Sequence, residues 1–298
     1  MKRGLFLKYV TLFVGLVTAV LVINAALELW FVYQENRRAS IEVQREKADA
    51  AAQKIESFVR EIQNQIGWVA YAQFDTLPAD QRRFDYVRLL RQVPAITELT
   101  QLDRSGHEQL HVSRLSMDVV GSNIDRSTDP AFIEARANKV YFGPVSFRKG
   151  SEPYLTMAVW HGSPRSGVTV ADINLKLIWD VISQIKIGQN GYAYVVDRQG
   201  RLVAHPDISL VLRGTDMSRL AQVEAALKPQ DGAPPVDARN RAGVSVLSAH
   251  ATIPALNWLV FVELPTSEAQ QPVIDTGLRD FALLVLGLLI AEIGRAHV

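Results

Sequence analysis

Residues 188–206 read GQNGYAYVVDRQGRLVAHP, and they carry the clearest structural pattern in the chain. The aromatic and β-branched run 192–196 is followed by the turn 197–200, which ends in glycine, and then by a second apolar run, 201–206. This order of residues predicts a β-hairpin. Both alternating sets of positions in the first run are apolar, so we expect other elements to cover the hairpin on both sides.

The same pattern occurs about 94 residues earlier, where 96–102 leads into the turn DRSG at 103–106 and the run 107–112. A longer predicted hairpin follows each short one: 154–160 with 168–175 after the first, and 243–251 with 258–264 after the second. A repeat at this spacing indicates a duplicated unit. The alternative is chance similarity within strand-rich sequence. The predicted fold class is α+β, with two antiparallel sheets in tandem.

The N-terminal segment predicts a membrane helix. Residues 9–27 contain no charge, and about 20 apolar residues are enough to cross a bilayer. Three basic residues precede this run and three aromatic residues follow it: Lys2, Arg3 and Lys8, then Trp30, Phe31 and Tyr33. A cleavable signal peptide has a shorter apolar region and a small-residue cleavage site. We therefore expect a retained span over 9–33, with residues 1–8 in the cytoplasm.

A long stalk helix is predicted to follow the span, over residues 34–74, because this composition favours helix and lacks proline. Its apolar residues alternate in steps of four and three: Ala48, Ala52, Ile55, Val59, Ile62, Ile66 and Val69. Such a stripe is the seam of an amphipathic helix. Two uses of the stripe remain open, namely packing on the chain's own sheets and contact between the two copies of a homodimer.

The other predicted helices connect or flank the sheets. They cover 75–94 with Phe84, Val87, Leu89 and Leu90 facing inward, a short helix to Ala137 that is capped by Asp129, 174–187, 217–227, and the exit helix 266–280. We expect 118–151 to be otherwise irregular up to its return to the sheet, and 228–242 to be a loop rich in proline and glycine.

The C-terminal end predicts an incomplete second span. Residues 281–292 are apolar over only about half of a bilayer crossing. The last six residues, Ile293 to Val298, match the translation of a common sequencing-adapter end. We therefore expect 281–292 to be a truncated transmembrane helix and 293–298 to be an artefact.

The segment 188–218 resembles the membrane-proximal half of a double Cache sensor domain, chiefly in residues 191–197, 202–206 and 214–216. The resemblance extends more loosely over 35–280. It implies two PAS-like modules in tandem, a membrane-distal one at 75–187 and a membrane-proximal one at 188–265. It also implies that both stand outside the cytoplasmic (inner) membrane of a bacterium.

The excursion between the two hairpins of the first unit crosses one face of a sheet, where a small-molecule pocket is expected. Its predicted ligand-binding residues are Arg114, Phe132, Arg136, Tyr141, Tyr154 and Asp172. The resemblance implies that the Asp172 carboxylate receives a ligand amine. The Trp-Tyr pair of the amino-acid-binding subgroup is absent, and 129–132 read DPAF in its place.

Several chemistries are not expected. The chain has no cysteine and a net charge of +1, so the sequence favours neither thiolate chemistry nor a nucleic-acid partner. His107 and His111 follow a turn into a strand, where they would lie roughly 13 Å apart, too far to share a metal ion easily. His205 is expected to hydrogen-bond within the fold. No nucleophile elbow or phosphate-binding glycine loop is present. We expect no cofactor, no metal site and no enzymatic activity in these residues.

These observations predict a receptor fragment that binds a small molecule outside the cell and signals across the bilayer. Its expected partners are that ligand, the lipid bilayer and a second copy of the chain, contacted through the stalk helix. The resemblance favours a histidine kinase as the missing output, with a nucleotide cyclase or a chemoreceptor signalling domain as alternatives. The rival functions are a membrane-anchored hydrolase and a scaffold without an output domain.

Overall fold

The computed structural model describes residues 2–71, 74–148, 152–228 and 237–296. The helices in these ranges are α1 (Lys2–Val69), α2 (Ala79–Gln92), α3 (Pro130–Asn138), α4 (Lys176–Ser183), α5 (Ile208–Leu212), α6 (Ala221–Leu227), α7 (Thr266–Ala269) and α8 (Gln271–Ala296), with a 3₁₀ turn at Phe74–Thr76. The strands are β1 (Ile96–Leu102), β2 (Glu108–Ser113), β3 (Val119–Val120), β4 (Val140–Arg148), β5 (Glu152–Trp160), β6 (Val168–Asn174), β7 (Tyr192–Val196), β8 (Leu202–Ala204), β9 (Asp237–Arg239), β10 (Ser245–Ile253) and β11 (Trp258–Pro265).

The strands form two antiparallel sheets. The first has the order β3-β2-β1-β6-β5-β4, and the second has the order β8-β7-β11-β10-β9. Both predicted short hairpins are present, as β1 with β2 and β7 with β8. When the short strand β3 is set aside, the remaining strands of the first sheet have the same order as those of the second. The mixed fold with two sheets is therefore confirmed.

Each sheet has two covered faces. In the first sheet, Leu99 and Met157 belong to a buried cluster with α1, whereas Leu102 and Val170 pack with α3 on the opposite face. In the second sheet, residues such as Val260 face α1 in the same way, and the opposite face packs against α5 and α6. Successive strand residues point to opposite faces, so the polar residues that alternate with the α1-facing set lie on the far side.

The predicted apolar stripe of the stalk packs on the chain's own sheets. All its members except the partly buried Val69 are at most 4% exposed, and they belong to the same buried cluster as the sheet residues. The stripe is therefore not available to a second copy of the chain. Contact between copies through α1 would need its opposite side, where Val43 and Trp68 are 47% and 69% exposed.

The helix α1 is continuous across the expected boundary between span and stalk, and it ends at Val69 rather than at 74. A tighter turn closes it, because the Ala70 N–H donates to the Gly67 carbonyl. Residues 72 and 73 lie outside the described part of the chain.

The inward face of α2 differs from the prediction. Leu89 and Leu90 are buried and Val87 is partly buried, but Phe84 is 66% exposed. Tyr86 is fully buried in its place, and its hydroxyl lies 2.6 Å from the Thr169 hydroxyl. Tyr86 therefore shares the inward side of α2 with Leu89 and Leu90, and its phenol has a buried partner there.

Two further helices were predicted too long, and the predicted exit helix is divided into two. The observed helices are α4 instead of 174–187, α6 instead of 217–227, and the separate α7 and α8 instead of 266–280. Asn174 remains in β6, and its side chain accepts from the Lys176 N–H at the start of α4. The break before α8 places Pro272 in the first turn of that helix, where an N–H group is not needed.

The segment predicted to be irregular contains a strand that the sequence analysis missed. Strand β4 lies at the edge of the first sheet and pairs with β5 from Val140 to Arg148. The register shifts between Phe142 and Val145, which accommodates Gly143 and Pro144. Proline is tolerated on an edge strand at such a bulge, so it did not end the strand here.

Candidate functional site

A cavity of about 310 Å³ lies on the face of the first sheet that points away from α1. Strands β2, β1, β6, β5 and β4 supply its floor, and the start of α3 with the segment before it supplies its cover. Its lining residues are Glu98, Thr100, His111, Arg126, Asp129, Pro130, Ala131, Tyr141, Gly143, Pro144, Thr156, Val170 and Asp172.

Sheet register brings the polar residues of the floor together. Glu98 on β1 and Thr156 on β5 stand opposite Asp172 on β6. The Thr156 hydroxyl donates to the Asp172 carboxylate at 2.8 Å. Two residues further along β1, Thr100 stands opposite His111, and its hydroxyl lies 2.9 Å from the His111 Nδ1. The floor is therefore a patch of oxygen and ring-nitrogen atoms on the face of the sheet that points away from α1.

The cover of the cavity is held by local hydrogen bonds and one ion pair. Asp129 caps α3 by accepting from the Ala131 N–H at 2.9 Å. The Arg126 guanidinium lies 3.1 Å from the carboxylate of Glu108, which is buried at the start of β2. Burial raises the pKa of the Tyr141 phenol, and the charges of Asp129 and Glu134 raise it further. The phenol therefore stays protonated and can donate a hydrogen bond at neutral pH.

The described residues that line the cavity carry predominantly negative charge. Glu98, Asp129 and Asp172 contribute three carboxylates, and Arg126 contributes the one guanidinium among the lining residues. That guanidinium is already paired with Glu108. A concave site lined by one sign of charge favours ligands of the opposite sign.

A family model described as a Cache domain matches residues 32–273. The chain belongs to the Cache domain family. Cache domains are extracellular sensor domains of membrane receptors, and those of histidine kinases and chemoreceptors bind small-molecule ligands. No curated protein matches this Cache chain.

Solved structures share the fold of this Cache domain. The extracellular domain of the putative histidine kinase mmHK1S-Z2 superposes with a TM-score of 0.65 at 14% identity, over 78% of this chain and 99% of that one. The sensory domain of the Campylobacter jejuni chemoreceptor Tlp3 gives 0.62 at 12% identity, over 81% and 99%. The ligand-binding domain of the Pseudomonas aeruginosa chemoreceptor PctC, in complex with GABA, gives 0.54 at 20% identity, over 75% and 99%.

The membrane prediction for the N-terminal helix of this Cache chain is supported. Among the described residues, α1 is long and apolar enough from Gly15 onward to cross a membrane, and its apolar window is not buried.

Two of the six predicted ligand-binding residues, Tyr141 and Asp172, line the cavity of this Cache domain. The other four are not among its lining residues. Phe132 lies on α3 and is buried between that helix and the sheet. The Arg136 guanidinium lies over the Phe132 ring and donates to the Arg104 carbonyl at 2.7 Å. Arg114 is exposed after β2, and the Tyr154 hydroxyl donates to Glu152 at 2.8 Å. Ligand binding by any of the six residues stays a prediction.

The lining residues that the sequence analysis missed fall into two groups. Glu98, Thr100 and Thr156 are polar strand residues that the alternation of side chains places on the cavity face. Strand β1 is also polar at Thr97 and Gln101 on its other face, so no period-two pattern singles these residues out. Arg126 and Asp129 are not strand residues. They reach the cavity because the segment between β3 and α3 folds back over the sheet.

A second polar cluster resembles a catalytic triad but is sealed. Both Asp75 oxygens approach the His161 Nδ1, at 3.2 and 3.3 Å, and the His161 Nε2 lies 2.8 Å from the Thr169 hydroxyl. Thr169 and the His161 side chain are fully buried. No substrate can reach this hydroxyl. The cluster instead has a structural role, because it holds the 3₁₀ turn after α1 against the first sheet. Within the described ranges, no group of three or more His, Asp or Glu side chains is placed to hold a metal.

Proposed function

We propose that the chain is the sensory part of a transmembrane receptor, in which the cavity of the first sheet binds a small solute outside the bacterial inner membrane. The observation that carries the proposal is the acidic floor of that cavity, where Asp172 lies beside Glu98 and Thr156. A volume of about 310 Å³ suits a metabolite-sized ligand. The proposal gives these residues a binding role and no catalytic step.

The chemistry of the cavity favours a ligand that carries an ammonium group. Asp172 would accept from the ligand N–H groups, and the nearby Glu98 would add negative charge. The Tyr141 hydroxyl and the Thr100 hydroxyl would hydrogen-bond its polar remainder. PctC in complex with GABA and PctB in complex with L-Arg also bind amines. The DPAF sequence at 129–132 replaces the Trp-Tyr pair of the amino-acid-binding subgroup, so the proposed class is wider than α-amino acids.

Transmission would use elements that contact both sheets. In this proposal the two sheets are a membrane-distal and a membrane-proximal module, joined by α4. The helix α1 packs against both of them, and α8 leaves the second sheet with the exposed apolar residues Phe281, Leu283 and Leu286 as a second span. Ligand binding can shift these helices only if the ligand has different affinities for two arrangements.

The proposed output is a cytoplasmic histidine kinase, which controls a two-component system. The fold shared with the mmHK1S-Z2 extracellular domain supports this choice. The folds shared with chemoreceptors keep a chemoreceptor signalling domain as an alternative output. A nucleotide cyclase is a further alternative. A homodimer would pair copies through the exposed side of α1, since the buried side contacts the sheets.

A thermal-shift screen of the full chain in lipid nanodiscs tests the ligand class. The panel would contain amino acids, diamines, monoamines and, for comparison, carboxylates without an amine. A ligand of the folded state raises the unfolding temperature by mass action. We expect amines to do so and the carboxylates to have no effect. A panel in which no amine stabilises the chain would contradict the proposed class.

The substitution Asp172→Asn tests the site. It removes the negative charge at nearly constant shape, and a charge-assisted hydrogen bond contributes about 1.5–3 kcal/mol. We expect the Kd of a stabilising amine to rise roughly tenfold to a hundredfold in isothermal titration. Asp80→Asn, on the exposed start of α2, is the matched control and should bind like the wild type. Equal affinities for Asp172→Asn and the control would place the ligand elsewhere.

A further inference from the structure

The second sheet has an acidic residue at the position that corresponds to Asp172. In the shared strand order, β11 corresponds to β6, β7 to β1 and β10 to β5. Two cross-strand triplets correspond: Glu98–Asp172–Thr156 in the first sheet and Tyr192–Glu263–Ser248 in the second. Each triplet has a carboxylate at its centre. A residue with a hydroxyl stands beside it, Thr156 on β5 in the first sheet and Ser248 on β10 in the second. Glu263 also points away from α1, because it contacts Gln222 of α6.

Larger side chains fill the space that is open in the first sheet. The cross-strand pair Thr100–Val170 corresponds to Tyr194–Phe261, whose rings stack with centroids 5.2 Å apart. The side chain of Gln222 enters from α6 and is only 1% exposed. The corresponding site in the second sheet is therefore covered by the chain itself.

The hydrogen bonds at Glu263 leave acceptors without donors. Glu263 is fully buried, and one of its oxygens accepts from the Tyr194 hydroxyl at 2.7 Å and from the Gln222 amide at 2.8 Å. Its other oxygen has no hydrogen bond of good geometry, and neither do the Gln222 Oε1 and the Ser248 Oγ, which are also buried. Burial raises the pKa of the neighbouring Tyr192 phenol, and the charge and a hydrogen bond of Glu263 raise it further. No Lys or Arg in the described part of the chain forms an ion pair with Glu263. Buried polar atoms are normally satisfied, and the Ser248 hydroxyl can supply only one further donor. A buried carboxylate is therefore left without a cationic partner among the described residues.

We propose that Glu263 is the centre of a second binding site, specific for a small ammonium-type cation, in which the Gln222 amide stands in for the ligand. The Gln222 NH₂ group donates to Glu263 as a ligand N–H would. A primary ammonium brings three donors and a positive charge, as a lysine side chain does. It would compensate the buried carboxylate and give hydrogen bonds to the Ser248 hydroxyl and the other carboxylate oxygen.

The test uses methylammonium chloride as the probe, with tetramethylammonium chloride as the control cation, because the latter has the same charge and no N–H donor. The protein is the full chain in nanodiscs with Asp172→Asn, so that the cavity of the first sheet does not contribute. Gln222→Ala removes the internal donor and opens space beside Glu263. We expect methylammonium at tenfold excess over its Kd to raise the unfolding temperature of this variant by about 2–4 °C. Tetramethylammonium should leave it unchanged.

Adding Glu263→Gln should abolish the methylammonium effect, since the carboxylate is then gone. With Gln222 intact, the effect should be smaller, because the amide competes for the site.

If Gln222→Ala does not fold, the refolding yield in methylammonium is compared with the yield in tetramethylammonium, in place of the unfolding temperature. Gln222→Ser offers a smaller change. Equal responses to the two cations, or a methylammonium effect that survives Glu263→Gln, would overturn the proposal. Because Asp172 is absent throughout, failure here leaves the proposed sensory function untouched.

Discussion

Asp75 connects the end of α1 to the first sheet through three different partners. Its carboxylate contacts the His161 ring and accepts from the Gly167 N–H at 2.8 Å and from the Gln101 amide at 2.6 Å. Burial alone would raise the pKa of Asp75, but the hydrogen bond and charge of His161, with the bonds from Gly167 and Gln101, hold it below 3.8. The hydrogen bonds to Asp75 therefore favour its ionised carboxylate.

Because the pKa of Asp75 is lowered in the folded state, the stabilisation that Asp75 provides depends on pH. The stabilisation is fully present above the unfolded-state pKa, about 3.9, and is lost as the pH falls through the lower folded-state pKa. We expect Asp75→Asn to cost about 2 kcal/mol of unfolding free energy at pH 5, and the gap from wild type to shrink between pH 4 and pH 2. Urea unfolding across this range measures the gap. Asp80→Asn should show no such pH-dependent gap, and a constant gap for Asp75→Asn would refute the assignment.

At the scale of elements, the sequence predicted structure best where the determining contacts are local. The two short hairpins share a turn in which an aspartate accepts two nearby N–H groups: Asp103 from Ser105 and His107, and Asp197 from Gln199 and Arg201. Each turn closes with a glycine at positive φ, Gly106 at 88° and Gly200 at 79°. All of this lies within a few residues and is visible in the sequence.

Elements that depend on distant partners were predicted less well. Phe84 and Tyr86 lie on the same short helix, and Tyr86 faces inward on the side of Leu89 and Leu90, where its hydroxyl meets the buried Thr169 hydroxyl on β6. The cavity likewise combines residues from five strands and a returning segment, so sequence alone found Tyr141 and Asp172 but not Arg126. Cross-strand register determines this combination, and register is set by the whole sheet.

The buried side of α1 gives a stability prediction with a matched control on the same helix. Val59 is 2% exposed in the core that α1 shares with the sheets, whereas Val43 is 47% exposed. Truncating Val59 to Ala removes two buried methyl groups and should cost about 2 kcal/mol, whereas Val43→Ala should stay within about 0.5 kcal/mol. Urea unfolding of the two variants measures the difference. Equal costs would mean that the stripe contributes little to packing.

At the scale of the whole molecule, one carboxylate ties the segment that enters the second sheet to the helix that leaves it. Glu268 on α7 accepts from the backbone N–H groups of Gln189 and Asn190, the latter at 3.0 Å, and from the Asn190 side chain at 3.3 Å. The residues before this loop join it to α4 and the first sheet. Under the proposed function, Glu268 is therefore placed to pass a displacement of the first sheet to α8.

Disulfide crosslinking between α1 and α8 tests this connection, and the absence of native cysteine leaves the background clean. A Cβ at Gly277 would lie 3.3 Å from the Leu29 side chain, so the double variant Leu29→Cys, Gly277→Cys reports on the approach of the two helices. We expect an amine that stabilises the chain to change the crosslinking rate severalfold. Adding Glu268→Ala should remove most of that change while the amine still binds. Glu224→Ala, an exposed residue paired with Lys228 on α6, is the control and should preserve it. A rate that responds to the amine equally with and without Glu268 would show that the displacement reaches α8 by another route, such as α1 itself.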